Sequence, residues 1–156
     1  EQLIHTLNYL LRWVLPFKAP LREFINPGIA VELGYLSALK ALRVSSNLDL
    51  LEHGRHKARR LQLSEASGIP ADFVLTLLHK ADISRLAYAR GKTVLHLCGA
   101  GYDALEKLAG AELPEMEARM DAYYHTLGKC LADFRAVIPL PWMIGGARIL
   151  HRVLET

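Results

Sequence analysis

Four basic residues close together form the strongest candidate for a binding site in this sequence. They are Arg55, His56, Lys57 and Arg59. On a helix, Arg55 and Arg59 lie on one face because they are four residues apart, so the group could contact successive phosphates of a nucleic acid. The alternative, which we favour, is an ordinary solvated helix face beside a buried Arg60 that forms a salt bridge with Asp82 or Glu65. The four residues are therefore a candidate nucleic-acid-binding site.

A second candidate lies towards the C-terminal end, where a tryptophan stands among prolines and glycines. Trp142 and Met143 belong to the apolar segment IPLPWMIGG. A side chain such as this indole could anchor a protein partner or rest at a membrane interface. It could equally pack between the two terminal helices, which is the interpretation that we favour. Trp142 and Met143 are therefore candidate partner-binding residues.

No pattern of residues indicates catalysis or metal binding. His53 and His56 form a short-spaced pair, but zinc needs three or four converging ligands. Cys98, Cys130 and His125 carry no local signature of a nucleophile with its base, and Cys130 is expected to be buried beside an apolar stripe. The sequence also has no glycine-rich nucleotide loop and no Ser–His–Asp order. We therefore expect no catalytic residue, no metal, no cofactor and no enzymatic activity.

The composition is that of one helical domain. The chain has 156 residues, 51% of them hydrophobic and 22% charged, which suits a single domain over residues 1–156. Helix-forming residues dominate and β-branched residues never alternate over the length of a strand, so the expected fold is all-α. No apolar run reaches the roughly 18–20 residues that a membrane helix needs. The net charge of +3 permits an anionic partner, and two cysteines suggest a reducing cytoplasm.

The expected helices fall into three regions. Residues 1–27 form a helix and a connector, residues 28–112 a paired core, and residues 113–156 a long helix followed by a C-terminal helix. The long helix is expected to begin at Pro114, because apolar residues recur every three or four positions beyond it. These residues are Met116, Met120, Tyr123, Leu127, Leu131, Phe134 and Ile138. At 1.5 Å per residue such a helix would be roughly 35 Å long and would cross the domain.

A weak internal repeat divides the central region into two copies that are offset by 58 residues. The matching pairs are Leu36 with Val94, Leu39 with Leu97, Val44 with Tyr102, and Leu50 with Leu108. Each copy is expected to form a helix, a tight break and a shorter helix. Since one such unit cannot bury its own apolar face, we expect the two copies to pack together.

Over roughly residues 28–112 the sequence resembles the bacterial domain-of-unknown-function family 4332. The segments that carry the resemblance are, in order, LLEHG, Arg60, LSEASGI, KADISRL and GYDALEKLAG. The resemblance implies two helix-hairpin-helix units joined by a pair of helices, and it implies no activity, because the family has none assigned. Relatives with this motif often bind DNA through the backbone amides of a Gly-x-Gly hairpin, where a side chain would block the phosphate.

The sequence departs from this motif at both hairpins. In the first unit we expect Ala30 and Glu32 at the glycine positions, and in the second Tyr88 and Arg90, with Gly91 displaced by one. A carboxylate in a phosphate cradle is repulsive. Both hairpins are therefore expected to be degenerate and structural, and any nucleic-acid binding to be weak.

These observations favour a non-enzymatic helical interaction module that binds a protein partner or a second copy of itself. The alternative is weak, sequence-independent nucleic-acid binding through the basic residues 55–60. Membrane-surface association through the terminal segments is a second, less expected alternative, and no small-molecule substrate is evident. An exposed apolar patch would favour the first function, whereas a one-sided basic surface beside the hairpins would favour nucleic-acid binding.

Overall fold

Helices make up the regular structure of the part of the chain that can be described. A computed structural model describes residues 3–4, 17–87, 89–133, 139–150 and 153–155. Its α-helices are α1 (Ala30–Ala41), α2 (Asn47–Gly54), α3 (Lys57–Ser67), α4 (Ala71–Ile83), α5 (Gly91–Gly99), α6 (Leu105–Ala109), α7 (Leu113–Thr126) and α8 (Leu140–Ile149). Short 3-10 turns occupy Leu21–Phe24 and Leu131–Asp133. The described residues hold no β-strand, so the expected all-α fold is confirmed.

Helix α4 lies at the centre of the hydrophobic core. Its buried residues Val74, Leu77, Leu78 and Ala81 recur every three or four positions and therefore share one face. The helix contacts α2 and α3 as well as α5, α6 and the first 3-10 turn. Helix α8 packs in turn on α6 and α7. One central helix thus joins the two copies of the sequence repeat.

The two copies of the repeat contain the same helix-turn-helix geometry. The turn between α1 and α2 places Arg43 at a φ of 62°, and the turn between α5 and α6 places Gly101 at a φ of 92°. In each copy the next amide donates to the carbonyl five residues earlier, over 3.0 Å in the first copy and 2.9 Å in the second. This hydrogen bond is typical of a helix that ends in a left-handed residue. The predicted order of helix, tight break and shorter helix is therefore confirmed in both copies.

The residues expected at the hairpin glycine positions do not lie in the turns that join the paired helices. Ala30 and Glu32 stand in the first turn of α1, and Arg90 is the N-cap residue of α5. Tyr88 lies outside the described residues. The assignment of these residues to the hairpins is wrong, because the neighbouring glycines precede or begin a helix instead of separating two helices. The paired helices are joined at the left-handed turns described above.

The expectation of a single long helix after Pro114 is also wrong. Helix α7 ends at Thr126, and Gly128 follows with a φ of 66°, in the left-handed region. The amide of Lys129 donates to the carbonyl of Tyr124 at 2.9 Å and closes the helix end. Glycine adopts this backbone conformation without the steric cost that other residues incur, so the chain turns here although the apolar spacing continues.

The side chains that α7 buries differ from the predicted stripe as well. The buried ones are Met116, Met120 and Tyr124. Leu127, just beyond the helix, is 43% exposed, and Leu131 is buried in the following 3-10 turn. Phe134 and Ile138 lie outside the described residues. Apolar spacing alone therefore does not reveal where this helix ends.

A buried asparagine connects three segments of the chain. Asn47 begins α2 and is completely buried. Its side-chain oxygen accepts a hydrogen bond from the amide of Ala19, and its side-chain nitrogen donates to the carbonyl of Phe17 and to the hydroxyl of Ser84, each over 2.8 Å. These bonds satisfy the buried amide and hold the chain before the first 3-10 turn against α2 and the end of α4. Sequence reasoning did not identify this residue.

Candidate functional site

The four candidate basic residues lie at the start of α3 and have different surroundings. The side chains of Lys57 and Arg59 are exposed, and neither forms an ion pair with another described residue. Arg55 is exposed too, but its Nε donates to Nε2 of His56 at 3.1 Å. His56 is half-buried. Lys57 and Arg59 are therefore the cations of this group that are best placed to meet a phosphate.

Arg60 is a buried cation, as expected, but its partners are main-chain oxygens. Only 8% of the residue is exposed. Its guanidinium donates to the carbonyls of Gly54 at 3.5 Å, Arg55 at 3.3 Å and Glu155 at 2.7 Å. The expected salt bridge to Asp82 or Glu65 is wrong. Asp82 pairs instead with a nearer neighbour on its own helix end, which is discussed below.

The last described residue completes the start of α3. The Glu155 carboxylate accepts a hydrogen bond from Nδ1 of His56 and another from the amide of Lys57, both over 2.9 Å. The amide of Glu155 donates to the carbonyl of Arg55 at 2.9 Å. The hydrogen bond from His56, followed by that from Lys57, lowers the pKa of the Glu155 carboxyl. No side chain of the N-cap residue caps α3, so a residue 98 positions away from Lys57 supplies this cap.

The structure separates the two candidate partner-binding residues of α8. Trp142 is 61% exposed, and Ile149 on the same helix is 81% exposed. Only 1% of Met143, in contrast, is exposed, and the residue belongs to the core. Its assignment as a partner-binding residue is wrong, because its side chain lies in the core. Successive side chains of a helix point about 100° apart, so the neighbouring Trp142 can be exposed. The favoured interpretation, that the indole packs between the two terminal helices, involves residues 5–16, which lie outside the described residues.

An apolar groove of about 440 Å³ runs between α8 and the turn that follows α4. The groove is lined by Arg85, Leu86, Ala87, Pro141, Trp142, Gly145, Gly146, Ile149 and Leu150. A side chain built on Gly145 would meet nothing within 4 Å, so the helix surface is open between Trp142 and Ile149. Along the described part of the chain, no helix is both long and apolar enough to cross a bilayer.

Among the described residues, no hydrogen bond joins a cysteine to a histidine. Burial raises the pKa of the Cys98 thiol to about 11, which keeps it protonated. Cys130 is exposed, so the expectation that it is buried is wrong, because α7 ends before it. Nδ1 of His96 lies 2.7 Å from the hydroxyl of the buried Tyr124. Within the described residues, no three His, Cys, Asp or Glu side chains converge as metal ligands would.

Sequence reasoning missed two residues of these surfaces. Glu155 reaches α3 from the other end of the sequence, and no local pattern signals such a contact. Ile149 stands seven residues after Trp142, a helical spacing that could have placed both on one face.

Comparison with known proteins identifies the family of the chain. The family described as Domain of unknown function (DUF4332) matches residues 33–134, about two thirds of the sequence. Neither the curated proteins nor the solved structures gave a match. The matched residues extend from α1 to the 3-10 turn after α7 and contain both copies of the repeat. The protein therefore belongs to the DUF4332 family of domains of unknown function.

Proposed function

We propose that this domain is a non-enzymatic helical interaction module that associates with a second copy of itself through the outer face of α8. The observation that carries the proposal is the groove beside Trp142 and Ile149, two large apolar residues that are 61% and 81% exposed. Scattered single apolar residues are normal on a protein surface, but an apolar groove flanked by two such residues is typical of an interaction site.

A second copy is the partner that we propose, because this face offers both a projecting side chain and an open surface. A twofold interface brings the same patch of both subunits together, so the patch must contain a projection as well as the hollow that receives it. Trp142 supplies the projection, and the open surface at Gly145 supplies the hollow three residues further along α8. Two α8 helices that cross at Gly145 could also approach closely, since glycine carries no side chain. Tryptophan is among the residues that contribute most binding energy in interfaces.

The composition of the groove favours a protein surface over a small polar ligand. The lining consists of apolar side chains and glycines, apart from Arg85. Arg85 pairs with the buried Asp82, so its charge is already engaged within the fold. Association would therefore rest on burial of apolar surface, to which charge pairing adds little.

The test is the dependence of the sedimentation coefficient on protein concentration. We expect the unmodified protein to sediment faster as its concentration rises and Ile149→Glu to sediment as a monomer throughout, because the substitution places a charge in the interface. Val31→Glu is the matched control, since Val31 is 60% exposed on α1 and should leave association unchanged. A protein that stays monomeric up to about 1 mM, where the binding free energy would be only about −4 kcal/mol, would contradict self-association.

A second candidate function is weak nucleic-acid binding at the start of α3. The observation that favours it is the pair of exposed cations Lys57 and Arg59, next to the exposed Arg55. The carboxylate of Glu155 opposes it, because it places a negative charge at the same helix end. A salt titration distinguishes this candidate from the first and is described in the Discussion.

A further inference from the structure

A pocket lies between α1 and the first 3-10 turn, and exposed cations are among its lining residues. We propose that this pocket and the exposed apolar face of α1 beside it bind an acidic amphipathic helix of a partner protein. The pocket shares no lining residue with the α8 groove, so the inference does not depend on self-association.

The pocket has an apolar lining and is held in shape by the backbone. Its volume is about 250 Å³, and its lining residues are Pro20, Leu21, Arg22, Leu36, Lys40, Val44 and Ser45. The amide of Leu21 donates to the carbonyl of Ser45 at 3.0 Å, and Pro20 pairs with Ser46 in an isolated bridge. Small-molecule sites usually measure roughly 300–1,000 Å³, so the pocket suits one side chain of a partner better than a whole small molecule.

An exposed apolar face of α1 continues from the pocket. Ile29 stands just before the helix, and Leu33 and Leu36 follow after four and then three further residues. This spacing places the three side chains on one face, to which Lys40 also belongs. Ile29 is 42% exposed and Leu33 is 46% exposed, while Leu36 is half-buried and lines the pocket. Apolar residues in such a row on an exposed helix are typical of an interaction surface.

The second copy of the repeat indicates what kind of element covers this face. Leu36 corresponds to Val94 of α5, which is completely buried. Helix α5 packs on α4, α7 and the first 3-10 turn, whereas the main contacts of α1 in the described part of the chain are with α3 and the same turn. Since α3 corresponds to α7 in the repeat, α1 has no counterpart of α4 among these contacts. A helix is therefore the occupant that suits the open face of α1.

Three cations favour an acidic partner. Arg22 and Lys40 line the pocket, and Arg43 is exposed in the turn that follows α1. None of the three forms an ion pair or a side-chain hydrogen bond with another described residue. The left-handed backbone of Arg43 favours glycine, which stands at the matching position as Gly101, so a role of the side chain accounts better for an arginine here. Cations at such a surface attract and orient a partner of opposite charge.

The carboxylates near this site are engaged elsewhere in the fold. Asp49 accepts a hydrogen bond from the amide of Ser45 at 3.2 Å and pairs with Lys18 at 3.4 Å. Glu32, on α1 itself, accepts a hydrogen bond from the amide of Asn26 at 2.8 Å. Direct contacts with these carboxylates therefore do not neutralise the three cations.

The experiment is a fluorescence-anisotropy titration with a labelled synthetic peptide that has leucine on one helical face and glutamate on the other. A length of about 18 residues allows the peptide to form a helix. We expect saturable binding that weakens as salt is added, and no binding of the matching peptide in which lysine replaces glutamate. Lys40→Glu should weaken binding about tenfold, because it replaces an attraction by a repulsion. Lys92→Glu is the matched control, since it makes the same charge change at an exposed residue of α5.

Further variants locate the bound peptide. Leu33→Asn should weaken binding, whereas Val31→Asn should not, because Val31 is 60% exposed on the opposite face of α1. Ile149→Glu should leave peptide binding intact although it disrupts self-association, so the failure of one proposal is distinguishable from the failure of the other. Circular dichroism shows whether each variant is folded.

Several results would overturn the inference. They include the absence of binding of the acidic peptide up to about 1 mM, equal affinity for the acidic and basic peptides, and unchanged affinity in both Lys40→Glu and Leu33→Asn. Loss of peptide binding in Ile149→Glu would assign the peptide to the α8 groove instead. If duplex DNA binds and Lys40→Glu abolishes that binding while the acidic peptide does not bind, these cations serve a nucleic acid and the inference is wrong.

Discussion

Asp82 carries a carboxylate into the hydrophobic core, and only 2% of the residue is exposed. Nη1 of Arg85 donates to its Oδ1 over 2.5 Å, and the Arg85 side chain is itself only 13% exposed. Burial raises the pKa of the Asp82 carboxyl above its usual value, although the Arg85 charge acts in the opposite direction. The pair therefore contributes less to the free energy of unfolding than its short distance suggests, but the loss of either partner would destabilise the folded state.

Removal of one partner should be costly for this reason. We expect Asp82→Ala to lower the free energy of unfolding by about 3 kcal/mol, because it leaves the Arg85 guanidinium buried without its carboxylate. Asp103→Ala removes an exposed ion pair with Lys107, in which both side chains are more than half exposed, and should cost less than about 1 kcal/mol. Urea unfolding of both variants measures the difference. Equal losses would mean that the Asp82–Arg85 pair has no special role.

At the scale of the element, α2 shows how a local sequence signal acts through hydrogen bonds. The Ser46 hydroxyl accepts from the amide of Asp49, and the Asp49 carboxylate accepts from the amide of Ser46, so the two residues form a capping box. Partial burial opposes ionisation of Asp49, but hydrogen bonds from Ser46, Ser45 and Lys18 outweigh it and lower the pKa to about 2. The ionised carboxylate therefore stabilises the folded state.

This cap predicts a definite pH dependence. Because the folded pKa of about 2 lies below the unfolded value of 3.8, the stabilisation is present above pH 3.8 and is lost as the pH falls through 2. We expect Asp49→Asn to be less stable than the unmodified protein by about 1 kcal/mol at neutral pH. The difference should shrink between pH 4 and pH 2 in unfolding curves recorded across this range. A difference that is constant down to pH 2 would exclude the ionised cap as its cause.

At the scale of the whole molecule, the chain has a net charge of +3 and exposes Lys57 and Arg59. Nucleic-acid binding through these residues can be tested by its dependence on salt concentration. Contacts with two or three phosphates would give a log–log salt slope of about −2 to −3. Self-association through α8 as the main function predicts no retention on duplex DNA, single-stranded DNA or RNA, even near about 50 mM salt.

The variants for this test follow from the surroundings of the cations. If binding is detected, replacement of both Lys57 and Arg59 by Glu should abolish it, since their side chains form no ion pair with other described residues. The control is the double replacement of Arg22 and Lys92 by Glu, which changes the net charge equally at exposed positions on other elements. Arg55 and Arg60 are left intact, because their side chains hold the start of α3 together. Equal loss in both double variants would indicate a general charge effect.

The sequence by itself determined the features that depend on neighbouring residues. It predicts an all-α chain and the repeat of helix, tight break and shorter helix. The capping of α2 by Ser46 and the end of α3 at Gly68 likewise depend on residue types close together in the sequence. Each of these is decided by backbone preference and hydrogen bonds within a few residues, so the local residue types suffice.

Two kinds of feature were decided only by the tertiary structure. They are the point at which an apolar repeat stops being helical and the pairs of distant residues that come into contact. The apolar spacing beyond Pro114 continues past Gly128, but the chain turns at Gly128 and Leu131 is buried in the 3-10 turn that follows. Trp142 and Met143 are adjacent in sequence, yet the packing of α8 on α6 and α7 buries one and exposes the other. The contact of Glu155 with the start of α3 joins residues 98 positions apart, and its donors are a backbone amide and a ring whose direction no sequence pattern specifies. Such contacts arise from the overall packing of the chain, which local preferences constrain but do not determine.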